Sequence, residues 1–433
     1  MLQNFFMRRL QYNQQARRFF MSIVALGFVI DGVYAVLLNL YLLRLGYDAR
    51  YIGQVNSFGL LAFALMSFPA GLMGARWSSR RMLPVGLGSV LCGTILLPLG
   101  ALTPSAWHDV WHLITYALVL SGFSLYFVNG APFLMTVVAR DKQNSAFALQ
   151  TALLSMAAFI GSLFGGVLPG ILARLYDLTL DDPTPYRYTL MLVGVVVLVA
   201  FLITLTIVEQ DAEPDNTGES VSSDTGKAVS VGAVAASVLG IIGLMALIRF
   251  LQVAGVATIS VYFNVYLDTV FNMPTSTIGT IASIGRLIAV PAVLLAPRLI
   301  RRTSTGGVAM WGSLLTSLFL VPIALAPTGW AAALGYIGVL ASTNLRFTAF
   351  IVYIMLLVPK RQQPVMAGAG ETAAGFSFAL MAWGGGYIVT SATFRDLFLL
   401  GALLSGLGTL LFWWSLTRKA AQVPDVTPDQ GAS

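Results

Sequence analysis

Five ionisable side chains stand inside long apolar stretches of this sequence: Asp31, Arg249, Arg286, Arg346 and Glu371. At the centre of a bilayer a charged side chain costs roughly 2.5–3.5 kcal/mol on insertion scales. Unpaired and central, the five would together cost on the order of 12–17 kcal/mol, more than the net stability of many domains. They must therefore face each other or a water-filled hollow.

Asp31 lies near the middle of the first apolar run. Tyr34, Leu38 and Tyr41 share its face at helical spacing, with Asn39 to one side. A carboxyl at this depth can gain and lose a proton as its surroundings alternate between wet and dry, because burial disfavours its charged form. The alternative is a packing acid bonded to a neighbouring helix. Glu371 sits among small residues (Gly-Ala-Gly-Glu-Thr-Ala-Ala-Gly) that admit a close helix or water. By count Arg346 is its natural partner; paired they would form a lock or gate, whereas Arg346 alone would bind an anion. Arg249 and Gln252 are one turn apart with Ser260 near the same face, and Arg249 could instead snorkel to the interface. Arg286, three residues after Ser283, suits an anion ligand or an interhelical ion pair. Three arginines against two acids favour a carboxylate, sulfonate or phosphate on the substrate, since Arg grips such groups at two points. Tyr34, Tyr126, Phe127, Tyr262, Phe263 and Trp383 are deep enough to line an amphipathic pocket or to pack against helices and lipid.

These residues are positioned by a series of apolar runs. A hydrocarbon core about 30 Å thick needs roughly 20 apolar residues per helix. Twelve runs qualify: 19–43, 51–75, 83–103, 111–138, 145–173, 188–208, 236–267, 275–299, 306–327, 330–358, 364–391 and 394–417. They are too long for strands and lack period-two alternation. The first is too long for a cleavable signal peptide, and no small-residue cleavage site closes it. Over the 433 residues, 57% are apolar and 10% charged, with a mean hydropathy of +0.81. A soluble domain carries about 25% charged residues, so the expected class is an all-α polytopic membrane protein.

Between the sixth and seventh runs, Glu209 to Lys227 is acidic and rich in Ser, Asp and Gly, a composition unable to bury enough surface to order itself. We therefore expect a six-helix bundle over 1–208, a flexible cytoplasmic linker over 209–230, a second six-helix bundle over 231–418 and a disordered tail over 419–433. The halves repeat. Asn39-Leu-Tyr-Leu matches Asn264-Val-Tyr-Leu, Ile52-Gly53 matches Ile278-Gly279, and Ala146 to Ala152 matches Ala367 to Ala373, pairing Gln150 with Glu371. With both termini cytoplasmic, 17 of the 25 basic residues fall on the cytoplasmic side and five on the other, which fixes that orientation.

Twelve helices, an acidic central linker and a six-plus-six repeat resemble the major facilitator superfamily. That family carries a loop of the form G-x-L-A-D-R-x-G-R-R-R between its second and third helices. Here Gly71 to Arg81 reads GLMGARWSSRR, so Gly71, Gly74, Arg76, Arg80 and Arg81 fit while Ala75, Ser78 and Ser79 depart from it. The resemblance implies a gating role for this loop. Proton-coupled drug antiporters of the family often carry R-x-x-Q-G in helix four, where this chain has Tyr126, Asn129 and Gly130. Their Gly- and Pro-containing motif in helix five is partly kept in Gly161 to Gly170, GSLFGGVLPG.

One cysteine, Cys92, excludes a disulfide framework or a cysteine-based metal cluster. His108 and His112, with Asp109, lack further ligands for a metal. No phosphate-binding loop, G-x-S-x-G or H-E-x-x-H is present, so neither an enzyme nor an ATP-driven pump is expected, nor any cofactor, metal or nucleic-acid partner. The function expected is a secondary active transporter, monomeric and in the plasma membrane, moving a small amphipathic organic solute by alternating access with proton-coupled export. The alternative is proton-coupled or facilitated uptake of an organic anion held by cavity arginines. Candidate substrate or coupling residues are Asp31, Tyr34, Asn39, Tyr126, Asn129, Arg249, Gln252, Asn264, Arg286, Arg346 and Glu371.

Overall fold

The computed structural model describes residues 12–139, 142–207, 231–358 and 363–420, which are helical and contain no strand. The expected linker and nearly all of the expected tail lie outside the described residues, as do Arg8, Arg9, Arg140, Lys227, Lys360 and Arg361. Twelve long helices follow in order. The first half holds α1 Gln14–Arg44, α2 Ala49–Trp77, α3 Ser79–Leu96, α4 His108–Val137, α5 Gln143–Leu175 and α6 Thr184–Leu205. The second holds α7 Val231–Thr269, α8 Thr275–Arg302, α9 Thr305–Ala324, α10 Gly329–Leu356, α11 Gln363–Ser391 and α12 Phe394–Ala420.

Eleven of these are, over their described residues, long and apolar enough to cross a membrane. The other, α8, has 28 residues, about 42 Å at 1.5 Å per residue, and takes the place of the eighth expected run. Its sequence holds Arg286 midway and Arg298, Arg301 and Arg302 in its last turns. Side chains start several helices by accepting free backbone N–H groups. Asn13 accepts from Ala16 at 2.8 Å, Asp48 from Tyr51 at 2.9 Å and Ser304 from Gly307 at 3.0 Å.

Each half packs its helices in the same sequence of neighbours. In the first, α2 lies on α4, α4 on α3, α3 on α6, α6 on α1 and α1 on α5; in the second, α8 lies on α10, α10 on α9, α9 on α12, α12 on α7 and α7 on α11. Two equivalent seams, α2 with α11 and α5 with α8, join the halves, and α1 meets α7 between them. The repeated sequence is thus a repeated fold.

Small residues set how closely the seams approach. Gly53 lies against the Ala382 carbonyl, Gly386 against Arg50, and Gly166 against Gly279, where an added Cβ would come 2.7 Å from the Gly279 Cα. At one end Arg44 of α1 grips Asp268 of α7 at two points, Nη1 to Oδ2 at 2.8 Å and Nη2 to Oδ1 at 2.6 Å, while its Nε donates to the Leu180 carbonyl. The Tyr186 and Thr275 hydroxyls meet at 2.9 Å. Nearer the middle, Asn39 Nδ2 donates to the Val261 carbonyl at 2.6 Å, and Asn264 Nδ2 donates to the Ala35 carbonyl at 2.7 Å. The repeated Asn-x-Tyr-Leu therefore forms a reciprocal clasp across the pseudo-twofold axis.

Further along, Gly375 abuts Ala64 and Ser283 Oγ donates to the Phe159 carbonyl at 3.2 Å. One turn beyond Gly375, on the same face of α11, Glu371 is 62% exposed. The halves are joined at the Arg44–Asp268 end and part toward the other. At that other end Arg18 bonds the Thr206 carbonyl and Arg80 the Ile207 carbonyl, both within the first half.

Candidate functional site

A cavity of about 270 Å³ opens between the halves, lined by α1, α2, α4, α7 and α11. Its polar groups are Asp31, Tyr34 and Asn39 of α1, Asn56 of α2, Tyr116 of α4 and Ser260 of α7. Leu60, Phe63, Leu120, Phe123 and Phe378 supply an apolar wall. Few convergent polar groups in an apolar, concave setting is the usual make-up of a small-molecule site.

Local backbone geometry presents Asp31. Over Gly27–Tyr34, α1 widens into a π-helix, a form that concentrates at functional sites. Gly32, next to Asp31, lies so close to α5 that an added Cβ would be 2.6 Å from the Gly161 Cα. Asp31 is half-buried, and no ion pair or hydrogen bond reaches its carboxylate among the described residues. Arg286 attracts it electrostatically from α8. Around it, the rings of Tyr34 and Tyr116 stack with centroids 6.3 Å apart. Asn56 Nδ2 donates to Asn39 Oδ1 at 2.7 Å, and Asn39 in turn donates across the seam. Hydrogen bonds thus link one wall of the cavity to the clasp that joins the halves.

A second group of charges lies in the second half. Arg249 Nη2 meets Glu371 Oε1 at 3.5 Å, and the Arg249 guanidinium lies 5.0 Å from the Phe347 ring centroid. Arg346 is 1% exposed; its Nη1 donates to Gln252 Oε1 at 3.2 Å. The helix order alone pointed to Arg346 as the partner of Glu371; Arg249 makes that contact.

The sequence profile of the Major Facilitator Superfamily matches residues 19–368, well over half of the chain. The chain belongs to the major facilitator superfamily. It is a multi-pass membrane transporter of the secondary type and not an enzyme. The multi-drug resistance efflux pump PmrA homolog of Lactococcus lactis subsp. lactis (strain IL1403) is 29% identical over 192 residues, 43% of this chain and 42% of that protein. The match thus spans less than half of that relative's length. The inward-open xylose transporter XylE from E. coli superposes with a TM-score of 0.71 at 13% identity, over 92% of this chain and 94% of that one. A mutant form of the nucleoside transporter NupG gives 0.70 at 16% identity, over 93% and 99%. Identities this low establish a shared fold.

The superfamily's loop between α2 and α3 explains its glycine. An added Cβ at Gly74 would fall 1.7 Å from Asn129 Oδ1, and Asn129 Nδ2 donates to the Ala70 and Leu125 carbonyls at 3.0 and 2.9 Å. Asn129 therefore ties α4 to α2 and does not line the cavity. Gly71, Arg76 and Arg81 are exposed, whereas Arg80 Nε holds the Ile207 carbonyl at 2.8 Å. Tyr126 also lies away from the cavity: its hydroxyl meets Ser22 Oγ at 2.5 Å and its ring stacks on Phe19 at 5.9 Å. Asn264 belongs to the clasp.

Sequence reasoning missed Asn56, Tyr116, Phe123 and Phe378 in the cavity and the Arg44–Asp268 pair. The pair carried one legible signal: opposite charges follow the repeated asparagines by five and four residues.

Proposed function

We propose that this transporter exports a small amphipathic organic solute in exchange for protons, with Asp31 as the group that exchanges them. The observation that carries this reading is a half-buried carboxylate, without an ion pair among the described residues, on a π-helical segment in a cavity shared by both halves. The basic-residue asymmetry supports cytoplasmic termini in a plasma membrane. On that orientation the Arg44–Asp268 end is external and the cavity opens to the cytoplasm.

Ionised Asp31 receives the polar or cationic end of the solute, and Tyr34, Tyr116, Phe63, Phe123 and Phe378 cover its apolar part. The six-helix halves, joined through 209–230, then rock about the clasp. The Arg44–Asp268 pair and the Tyr186–Thr275 contact separate, and the vestibule beside Glu371 closes. Exposed to the outside, Asp31 takes a proton and releases the solute; after the return movement it gives the proton to the cytoplasm. The efflux-pump relative supports the direction of transport. The cavity geometry supports a monomer as the working unit, since it is built within one chain.

Flux in proteoliposomes tests this. Asp31→Asn should abolish solute movement driven by an imposed proton gradient while solute counterflow persists, because alternation without proton exchange remains possible. Proton-driven flux at the wild-type rate in Asp31→Asn would sink the assignment.

A further inference from the structure

The charges of the second half do not belong to the Asp31 cavity, whose lining includes none of them. Arg249 and Glu371 each stand twenty residues before the ends of α7 and α11, about 30 Å by helical rise. Asp31 is thirteen residues before the end of α1, about 20 Å, so the cluster lies about 10 Å nearer the open end.

Its bonding is incomplete. Arg346, 1% exposed, has one protein partner, the neutral Gln252, and its Nε has none among the described residues. Arg249, 6% exposed, has Nη1 unpartnered, as is Nε2 of Gln252, itself 1% exposed. Of the two guanidiniums only that of Arg249 reaches a carboxylate among the described residues, that of Glu371, at the long distance of 3.5 Å. A buried charge without a partner is strongly destabilising. Glu371 lies on the α11 face that forms the seam through Gly375, Phe378 and Ala382. Its exposure therefore looks into the space where the halves part. A solute entering there meets Glu371 first, with Arg249 behind it.

We propose that Arg249, Arg346 and Gln252 form a binding site for the carboxylate of a small organic acid, with Glu371 as an internal carboxylate that the ligand displaces. Guanidinium forks match carboxylates at two points, and the group already present is of that class. Phe347 and Phe350, under the Arg249 guanidinium, suit an aromatic acid. The inference is independent of Asp31.

Benzoate is the probe, with benzyl alcohol as its uncharged match, and the readout is thermal unfolding of the purified full chain against ligand concentration. Benzoate should raise the midpoint and benzyl alcohol should not. Glu371→Gln, at an exposed position that tolerates replacement, should tighten benzoate binding by about fivefold or more, the low end of typical coupling between competing ligands. Arg249→Gln and the charge-keeping Arg346→Lys should each weaken it by about tenfold, as for a lost two-point contact worth 1.4 kcal/mol. Asp31→Asn should leave it unchanged, which separates this test from that of proton coupling. Unaltered benzoate affinity in Glu371→Gln, or equal responses to benzoate and benzyl alcohol, would overturn the proposal.

Discussion

One slot occurs twice in this molecule and is filled in two ways. In the first half, Gly86 of α3 lies against the backbone of Tyr126 on α4, and the phenol beyond it bonds Ser22 of α1. In the second, Gly312 of α9 lies against Arg346 on α10, and the guanidinium bonds Gln252 of α7. The backbone contact is conserved by the repeat while the side chain changes from a satisfied phenol to an under-satisfied cation. Conversely, Asp31 has apolar Val256 at the offset of 225 set by the asparagine clasp. Packing accounts for the shared glycines. What the slots hold differs: a hydrogen-bonded phenol in the first half and a guanidinium in the second.

Replacing the two occupants breaks the comparison hardest. Tyr126→Arg places a cation in a slot closed by Phe19 and Ser22, and should destabilise by about 3–5 kcal/mol, as an uncompensated buried charge does. Arg346→Met should leave thermal stability unchanged or raise it, since apolar replacement of buried charge is often neutral or favourable. A Tyr126→Arg protein with a wild-type unfolding midpoint would show that the two slots differ less than claimed.

At the latch, Asp268→Asn removes the charge that holds Arg44 across the halves. Both side chains are mostly buried, at 16% and 9% exposed, and the loss should approach about 3 kcal/mol. Spin-label distances between α1 and α7 at that end should lengthen; an unchanged distribution would mean that the clasp alone keeps the end shut. Gly86→Ala and Gly312→Ala sharpen the equivalence. Each Cβ meets backbone atoms at 2.7 and 3.0 Å respectively, so each should cost about 1–3 kcal/mol from overpacking, and unfolding midpoints that fall unequally would argue against a common slot.

The smallest effect is at the helix starts. Before α6 the Thr184 hydroxyl, together with the Thr184 N–H that donates to Asp182 at 2.7 Å, holds the Asp182 carboxyl below the ordinary carboxylate range. Before α12 the Thr393 hydroxyl donates to Asp396 instead. A depressed folded pKa means that the Asp182 contribution is present above the unfolded value and lost as pH falls through the folded one. Asp182→Asn should therefore lower the unfolding midpoint slightly at neutral pH and not at acid pH, whereas Thr393→Ala should act at both; a uniform Asp182→Asn effect would remove the charge from the account.

The fold was legible because run length and hydrophobicity alone specify a membrane helix. Which way each helix faces was less legible. On α4 the cavity face is Tyr116, Leu120 and Phe123; Tyr126 and Asn129, chosen for depth and family spacing, point elsewhere. Arg249 rather than Arg346 reaches Glu371 because helix order says nothing about azimuth. The seams went unread for another reason: Gly53, Gly166, Gly279 and Gly386 act through what they lack, and such residues are common in membrane helices.

The reciprocal asparagine bonds have a mechanical consequence. They sit where α1 crosses α7, beside the pseudo-twofold axis, so a given angle of rocking displaces them least. The Arg44–Asp268 grip lies farther from that crossing and is swept over a greater arc. Like the rivet of a pair of shears, the asparagines can stay fastened while the blades on either side swing apart.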